Sequence, residues 1–275
     1  MFERIIKLPA GPLIVGAVAF PLVFLSYVVF AGTTHFLLRV AFRKHFDKYQ
    51  LSRRQPSRAD VYREIRNAVP SLIAYQFTLI LVCTGYRAGL LHIYGAVRDH
   101  GIVYLLLSIG LLVILNDAYF YWTHRLLHHR ALYKRVHLTH HGSINPTPWA
   151  AVSFSPAEAC VFGLFFPLVT LFMPVHYIAA AVWLFLQTLL NVLGHSGIEV
   201  MPRWLSRAGL ANNVAHHQLH HEKVHYNYAL FFPWWDRIMG TEYPAAARAS
   251  ARADTARHRL VESAPKPEPY SVHLR

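Results

Sequence analysis

The chain has 275 residues, of which 54% are hydrophobic and only 15% charged, and its formal net charge is +13. An ordinary soluble domain carries roughly 25% charged residues, so the balance argues against a water-soluble enzyme and for a single membrane-embedded unit. The cations do not point to nucleic acid either, because nine of them (Arg39, Arg43, Lys44, Lys48, Arg53, Arg54, Arg58, Arg63 and Arg66) fall in one stretch between two apolar segments, as in cytoplasmic loops under the positive-inside rule.

The N-terminal MFERIIKLPAG precedes an apolar run without a small-x-small cleavage site, so the run is expected to be retained as a first span. Gly11 to Ala31 is free of charge over about 20 residues, enough to cross a hydrocarbon core of roughly 30 Å. The basic stretch from Leu37 to Arg66 mixes apolar and cationic positions and predicts an amphipathic helix along the cytoplasmic membrane surface, with a solvated linker equally compatible. A second span is predicted over Val69 to Tyr86 and a third from Ile102 to about Trp122. The tract from Ala157 to Gly194, interrupted by Pro167 and by Met173-Pro174, reads as a helical hairpin that enters and leaves on the cytoplasmic face. From Trp204 the chain turns polar, and beyond Pro244 the run AAARASARADTARHRL predicts a mobile basic tail. Cys83 and Cys160 lie inside apolar runs and read as packing residues.

Twelve of the 19 histidines fall in four places: His124, His128 and His129; His137, His140 and His141; His195; and His216, His217, His220, His221 and His225. Each place follows the cytoplasmic end of a span or lies in the polar C-terminal part. Residues three or four apart share a helix face, so His124 and His128 present two imidazoles side by side. In the pattern H-x2-H-H, the first histidine shares a face with both members of the pair, while the pair itself diverges by about 100°. One such box can therefore serve two metals at once. Imidazole without thiolate suits zinc, iron, copper or nickel, and a single tetrahedral zinc needs only four ligands, so this many histidines imply two ions. The isolated His35, His45, His92, His100, His176, His258 and His273 read as ordinary core or surface residues, and His129, His216 and His225 have no assigned role.

Asp117 lies in the third span, about two turns before His124 on the same face. A carboxylate at that depth needs a partner, and a ligating histidine commonly donates its second N–H to one. Asp117 is therefore expected to support a ligand from behind. Asn191, four residues before His195, stands in the same relation, with a plain helix–helix hydrogen bond as the alternative. Six aromatics near the polar end, Tyr226, Tyr228, Phe231, Phe232, Trp234 and Trp235, read as interfacial anchors or as a lipid entrance.

Taken together, Asp117-Ala-Tyr-Phe-Tyr-Trp-Thr-His-Arg-Leu-Leu-His128, Leu132-Tyr-Lys-Arg-Val-His-Leu-Thr-His-His141, His195-Ser-Gly197, His217-Gln-Leu-His-His221, Asn227-Tyr228 and Trp235-Asp-Arg-Ile-Met-Gly-Thr241 resemble the fatty acid hydroxylase and sterol desaturase superfamily of membrane oxygenases. The resemblance implies an all-α, multi-pass membrane bundle of about four to five spans with a cytoplasmic histidine-rich cap. It implies two Fe ions, O2 as co-substrate, and hydroxylation of a fatty acyl or sterol-like C–H bond, with desaturation on the same centre as the alternative. The implied ligands are His124, His128, His137, His140, His141, His195, His217, His220 and His221. Acyl-CoA desaturases use similar boxes set much farther apart. Ala229 stands where the family often has glycine, and no fused cytochrome b5 motif is present.

No G-x-G-x-x-G fingerprint or iron–sulfur cysteine set occurs, so electrons are expected from a separate ferredoxin or cytochrome b5-like protein that the basic stretch from Arg39 to Arg66 receives. The absence of H-E-x-x-H excludes the commonest zinc hydrolase pattern. A metal transporter predicts ionisable residues through several spans, whereas Asp117 stands nearly alone. The expected organisation is membrane spans and basic loop over 1–101, the oxygenase domain over 102–243 and the tail over 244–275, in a bacterial inner membrane with no nucleic-acid partner.

Overall fold

The computed structural model describes residues 8–52 and 54–244. Among the described residues, four helices are long and apolar enough to cross a membrane: α1 (Gly11–Phe36, continued by a π-helical turn at Leu37–Ala41), α2 (Arg58–Arg87), α3 (Gly101–Leu127) and α6 (Tyr177–Gly194). Between α3 and α6 lie α4 (Pro156–Gly163) and α5 (Phe165–Phe172), which break at Leu164. This places Pro167 in the first turn of α5, where its missing N–H costs no helical hydrogen bond. The predicted hairpin is thus present, and the fold is the all-α membrane bundle expected from composition. Its far end is closed by a two-residue parallel bridge, Ile93 opposite Val175 and Tyr94 opposite His176.

Small residues bring the first two helices together. Ala31 and Ala68 are wholly buried, and a side chain at Gly16 would stand 3.0 Å from Ile80, the close approach that drives helix association where lipid gives no hydrophobic reward. The outer faces stay apolar and exposed, as at Leu13, Val18 and Leu22 of α1. A second core forms where Leu105 and Leu112 of α3 meet Phe165 of α5 and Ala179 and Trp183 of α6.

Two expectations are corrected. The stretch 37–66 is not one amphipathic helix: it divides into Leu37–Ala41, Arg43–Phe46 and Asp47–Tyr49, and Pro56 disfavours helix at the residue before it. The second span begins at Arg58, earlier than its apolar part, because Ser57 and Asp60 form a reciprocal capping box, worth about 1 kcal/mol. The tail predicted beyond Pro244 lies outside the described residues.

The C-terminal ends of α1, α3 and α6 and the N-terminal ends of α2 and α4 gather at one end of the bundle. There the loop 143–155 is tied down from several sides: Tyr27 donates to the Trp149 carbonyl at 2.8 Å, Ser71 to that of Phe154 at 2.8 Å, and Asn191 to that of Ala151 at 2.7 Å. Thr147 donates to the buried carboxylate of Glu64 through both its hydroxyl and its N–H. Glu64 and Glu158 join Asp117 as fully buried acids, so Asp117 is less solitary than the sequence implied.

Candidate metal centre

The last turn of α3 carries His124, and His128 caps its C-terminus. A π-helical turn, Tyr133–His137, followed by the short helix Leu138–His141 delivers His137, His140 and His141. His195 caps α6. Helix α7 (Val214–Lys223) begins at an N-cap where Asn213 accepts from the His216 N–H, and it presents His217, His220 and His221.

These nine side chains form two groups in which the ligand atoms lie within 4.8 Å of one another: His124, His128, His137, His141 and His220 in one, and His140, His195, His217 and His221 in the other. The partition follows helix geometry. Every i, i+4 pair (124/128, 137/141, 217/221) stays in one group, and in each H-x2-H-H box the adjacent histidines separate, His140 from His141 and His220 from His221. Each box thus gives two donors to one group and one to the other.

Facing nitrogens test whether cations fit. His124 Nε2 lies 3.0 Å from His137 Nε2, and His141 Nε2 lies 3.1 Å from His137 Nε2 and from His220 Nε2. In the second group His217 Nε2 lies 2.8 Å from His195 Nε2 and 3.1 Å from His221 Nε2. The other ring nitrogen of several is committed as a donor: His124 Nδ1 to the Tyr228 carbonyl at 2.7 Å, His220 Nδ1 to that of Tyr226 at 2.7 Å, His195 Nδ1 to that of Asn191 at 2.8 Å, and His137 Nδ1 to the Glu158 carboxylate at 2.7 Å. A neutral imidazole has one N–H, so the Nε2 atoms of these residues carry lone pairs. Lone pairs about 3 Å apart repel unless a cation lies between them, so the donor set fits two metal ions. Burial pushes the imidazoles of His128, His137, His140, His141, His217, His220 and His221 far below their ordinary range and that of His195 down to about 4. All are therefore neutral at physiological pH, the form that ligates.

Asp117 does not stand behind a histidine. Its Oδ1 accepts the N–H groups of Phe231, at 2.7 Å, and Phe232, at 3.3 Å, because seven residues along a helix place it about 10 Å from His124. It anchors the loop that follows α7. Asn191 supports His195 through its main-chain carbonyl, while its side-chain amide bonds Ala151. The carboxylate that does stand behind one of the nine histidines is Glu158, which accepts from His137 and which the sequence signalled only as an acid in an apolar tract, three residues after the N-cap Ser155.

His129, exposed, caps the helical turn Arg130–Leu132, and His225 is also exposed. His216 donates to Asp236 at 3.0 Å, and Asp236 further accepts from the Tyr228 and Ala229 N–H groups and the Thr241 hydroxyl. Burial pushes the Asp236 carboxyl up, but these hydrogen bonds outweigh it and hold the group below the usual carboxylate range. The stretch Trp235 to Thr241 is thus a clamp on the 226–229 turn that orients His124 and His220. Val224 begins that turn at φ +62°, a conformation a β-branched residue rarely adopts. Of the isolated histidines, His176 donates to the Gly95 carbonyl at 3.0 Å, and none joins either group among the described residues; His258 and His273 lie outside them.

A cavity of about 130 Å³, walled by Val113, Leu190, Met201, Leu210, Phe231 and Phe232, ends at His195 and His217 of the four-histidine group. Of the six aromatics, Phe231 and Phe232 line this cavity, and Tyr228 packs within 5.0 Å of His128, ring to ring.

Residues 109–241 match the family model for fatty acid hydroxylase. The chain is 31% identical over 196 residues to the Delta(7)-sterol 5(6)-desaturase of Schizosaccharomyces pombe, an alignment that covers 70% of this chain and 63% of that protein. It is 33% identical over 203 residues to the lathosterol oxidase of Homo sapiens, covering 71% and 66%, and 33% identical over 129 residues to methylsterol monooxygenase 1 of Rattus norvegicus, covering 47% and 44%. It thus spans less than two thirds of the length of these relatives. No solved structure matches.

Proposed function

Residues 109–241 are a fatty acid hydroxylase domain, and from that premise we propose that the protein is an O2-dependent di-iron oxidoreductase that attacks a C–H bond of a sterol-like lipid. The observation that carries this reading is the pair of adjoining all-imidazole groups, one of which lies at the inner end of an apolar cavity. His124, His128, His137, His141 and His220 would hold one ion and His140, His195, His217 and His221 the other. Bound there, two redox-active ions supply the activation of O2 that no side chain provides.

The chain's own residues do the rest. Glu158 and the carbonyls of Tyr228, Tyr226 and Asn191 fix the tautomers, so that each ring turns its lone pair inward. Phe231, Phe232 and Leu210 exclude water from the reacting carbon. At about 130 Å³ the cavity is below the several hundred Å³ that enclose a drug-sized ligand, so the substrate inserts only its reacting portion and leaves the remainder in the bilayer.

Hydroxylation leaves one oxygen atom in the product and desaturation releases both as water; each consumes two external electrons. These come from a separate ferredoxin or cytochrome b5-like donor. Desaturation gains support as a second reading from two relatives named Delta(7)-sterol 5(6)-desaturase and lathosterol oxidase. In this reading residues 102–243 carry the chemistry, 1–101 anchor it, and the centre faces the cytoplasm. The eukaryotic sterol enzymes it resembles favour the endoplasmic reticulum, in place of the bacterial inner membrane expected from composition. The test is to load the purified protein with ferrous iron, supply a reduced ferredoxin and a Delta(7)-sterol under O2, and analyse products by mass. A gain of one oxygen identifies hydroxylation and a loss of two hydrogens desaturation. An unchanged sterol, together with unchanged acyl lipids, refutes the activity.

A further inference from the structure

On the same end of the bundle, but apart from both histidine groups, a polar cleft of about 340 Å³ opens between the end of α1 and the start of α2. Its walls carry Arg39, Arg43, Arg58 and His35, together with Gln55 and Ser57. The nearby acids are occupied: Asp60 accepts from Ser57 and from Arg63, and Asp47 accepts from Gln50 and lies 3.7 Å from Arg43 on the open rim. Arg39 gives one nitrogen to the Ser196 carbonyl at 2.6 Å and a weaker contact to Gln55. Its Nε, like His35 Nδ1, is buried without a partner among the described residues.

Arg58 occupies the first position of α2, where the helix dipole disfavours a cation and Asp60 of the capping box offsets that cost in part. An anion bound in the cleft would accept from the guanidinium groups that line it. The cleft also adjoins lipid-facing surface, since Phe36 and Val40, flanking Arg39 on α1, are 55% and 59% exposed. A concave site of this size suits a compact group better than the broad acidic face of a protein. We propose that the cleft binds a phosphate group, contributed by an anionic phospholipid whose acyl chains lie along Phe36 and Val40 of α1 while Arg39, Arg43 and Arg58 hold its headgroup.

The experiment uses the full chain in detergent, titrated with short-chain phosphatidic acid, short-chain phosphatidylcholine and inorganic phosphate, with binding read by native mass spectrometry and thermal shift. Arg39 is left intact because it also holds Ser196. Each arginine near a membrane contributes roughly fivefold in affinity, so Arg43→Gln with Arg58→Gln is expected to weaken phosphatidic acid binding by roughly 30-fold. Arg203→Gln with Arg207→Gln, the same charge change elsewhere, is expected to leave it unchanged, and Arg43→Lys with Arg58→Lys to retain most of it. Phosphatidic acid binding far more tightly than inorganic phosphate supports the lipid source. Equal binding of the two keeps the phosphate site and overturns the lipid. Undiminished phosphatidic acid binding in the Gln variant, or phosphatidylcholine binding as tightly as phosphatidic acid, overturns the proposal.

Discussion

His140 and His141 are neighbours in sequence but point into different groups, so their replacement tests whether each group holds its own ion. His140→Ala leaves three imidazoles where there were four, and His141→Ala leaves four where there were five. A four-ligand zinc site is worth about 10–16 kcal/mol at neutral pH, so one imidazole contributes roughly 3 kcal/mol, or roughly 100-fold in affinity. A three-donor site weakened that far loses its ion to a competing chelator, whereas a group that keeps four donors still completes a tetrahedron. The assay is metal per chain after dialysis against a graded chelator, with His225→Ala as a control outside both groups and circular dichroism to show that the helices persist. The expected result is about one ion per chain for His140→Ala and close to two for His141→Ala. Equal losses from the two variants, with the fold intact, would refute the partition.

Three further outcomes are expected. Glu158→Gln removes the carboxylate that accepts from His137, and should weaken metal retention at the five-histidine group by about 10–100-fold while the other group keeps its ion; an unaltered chelator titration would show that Glu158 has no such role. Because burial depresses the His195 imidazole from 6.5 to about 4, the unfolded chain takes up its proton first. The stability that His195 contributes is therefore complete above about pH 6.5 and is lost as pH falls toward about 4. Thermal midpoints at pH 7.5, 6.5 and 5.5 should decline, and a constant or rising midpoint contradicts the assignment. Val224→Gly relieves a left-handed β-branched residue and should stabilise by about 1 kcal/mol, a rise of roughly 2–4 °C in a scan; a lower midpoint would mean that the valine side chain's packing outweighs the strain.

Much of the fold was legible because membrane spans are set by run length, a property of the chain alone. The turn of α3 beyond Trp122 was legible from the His124/His128 spacing, but what holds it was not, since the Tyr228 carbonyl and the His137 ring that meet His124 come from elsewhere in the chain. The start of α2 was masked by its cations, although Ser57 and Asp60 form a recognisable capping pair. His216 shows the limit of spacing as a signal: it sits one residue from a histidine inside a group, yet faces Asp236.

By itself the sequence determined which imidazoles share a helix face, and hence that the adjacent histidines of each H-x2-H-H box diverge, because that divergence depends only on 3.6 residues per turn. Only the tertiary structure decided that His220 joins His124 and His137 while His140 joins His195 and His217. It also decided that Glu158, and not Asp117, stands behind a histidine. Those pairings are set by how four separate segments dock on one another, and no local periodicity carries that information.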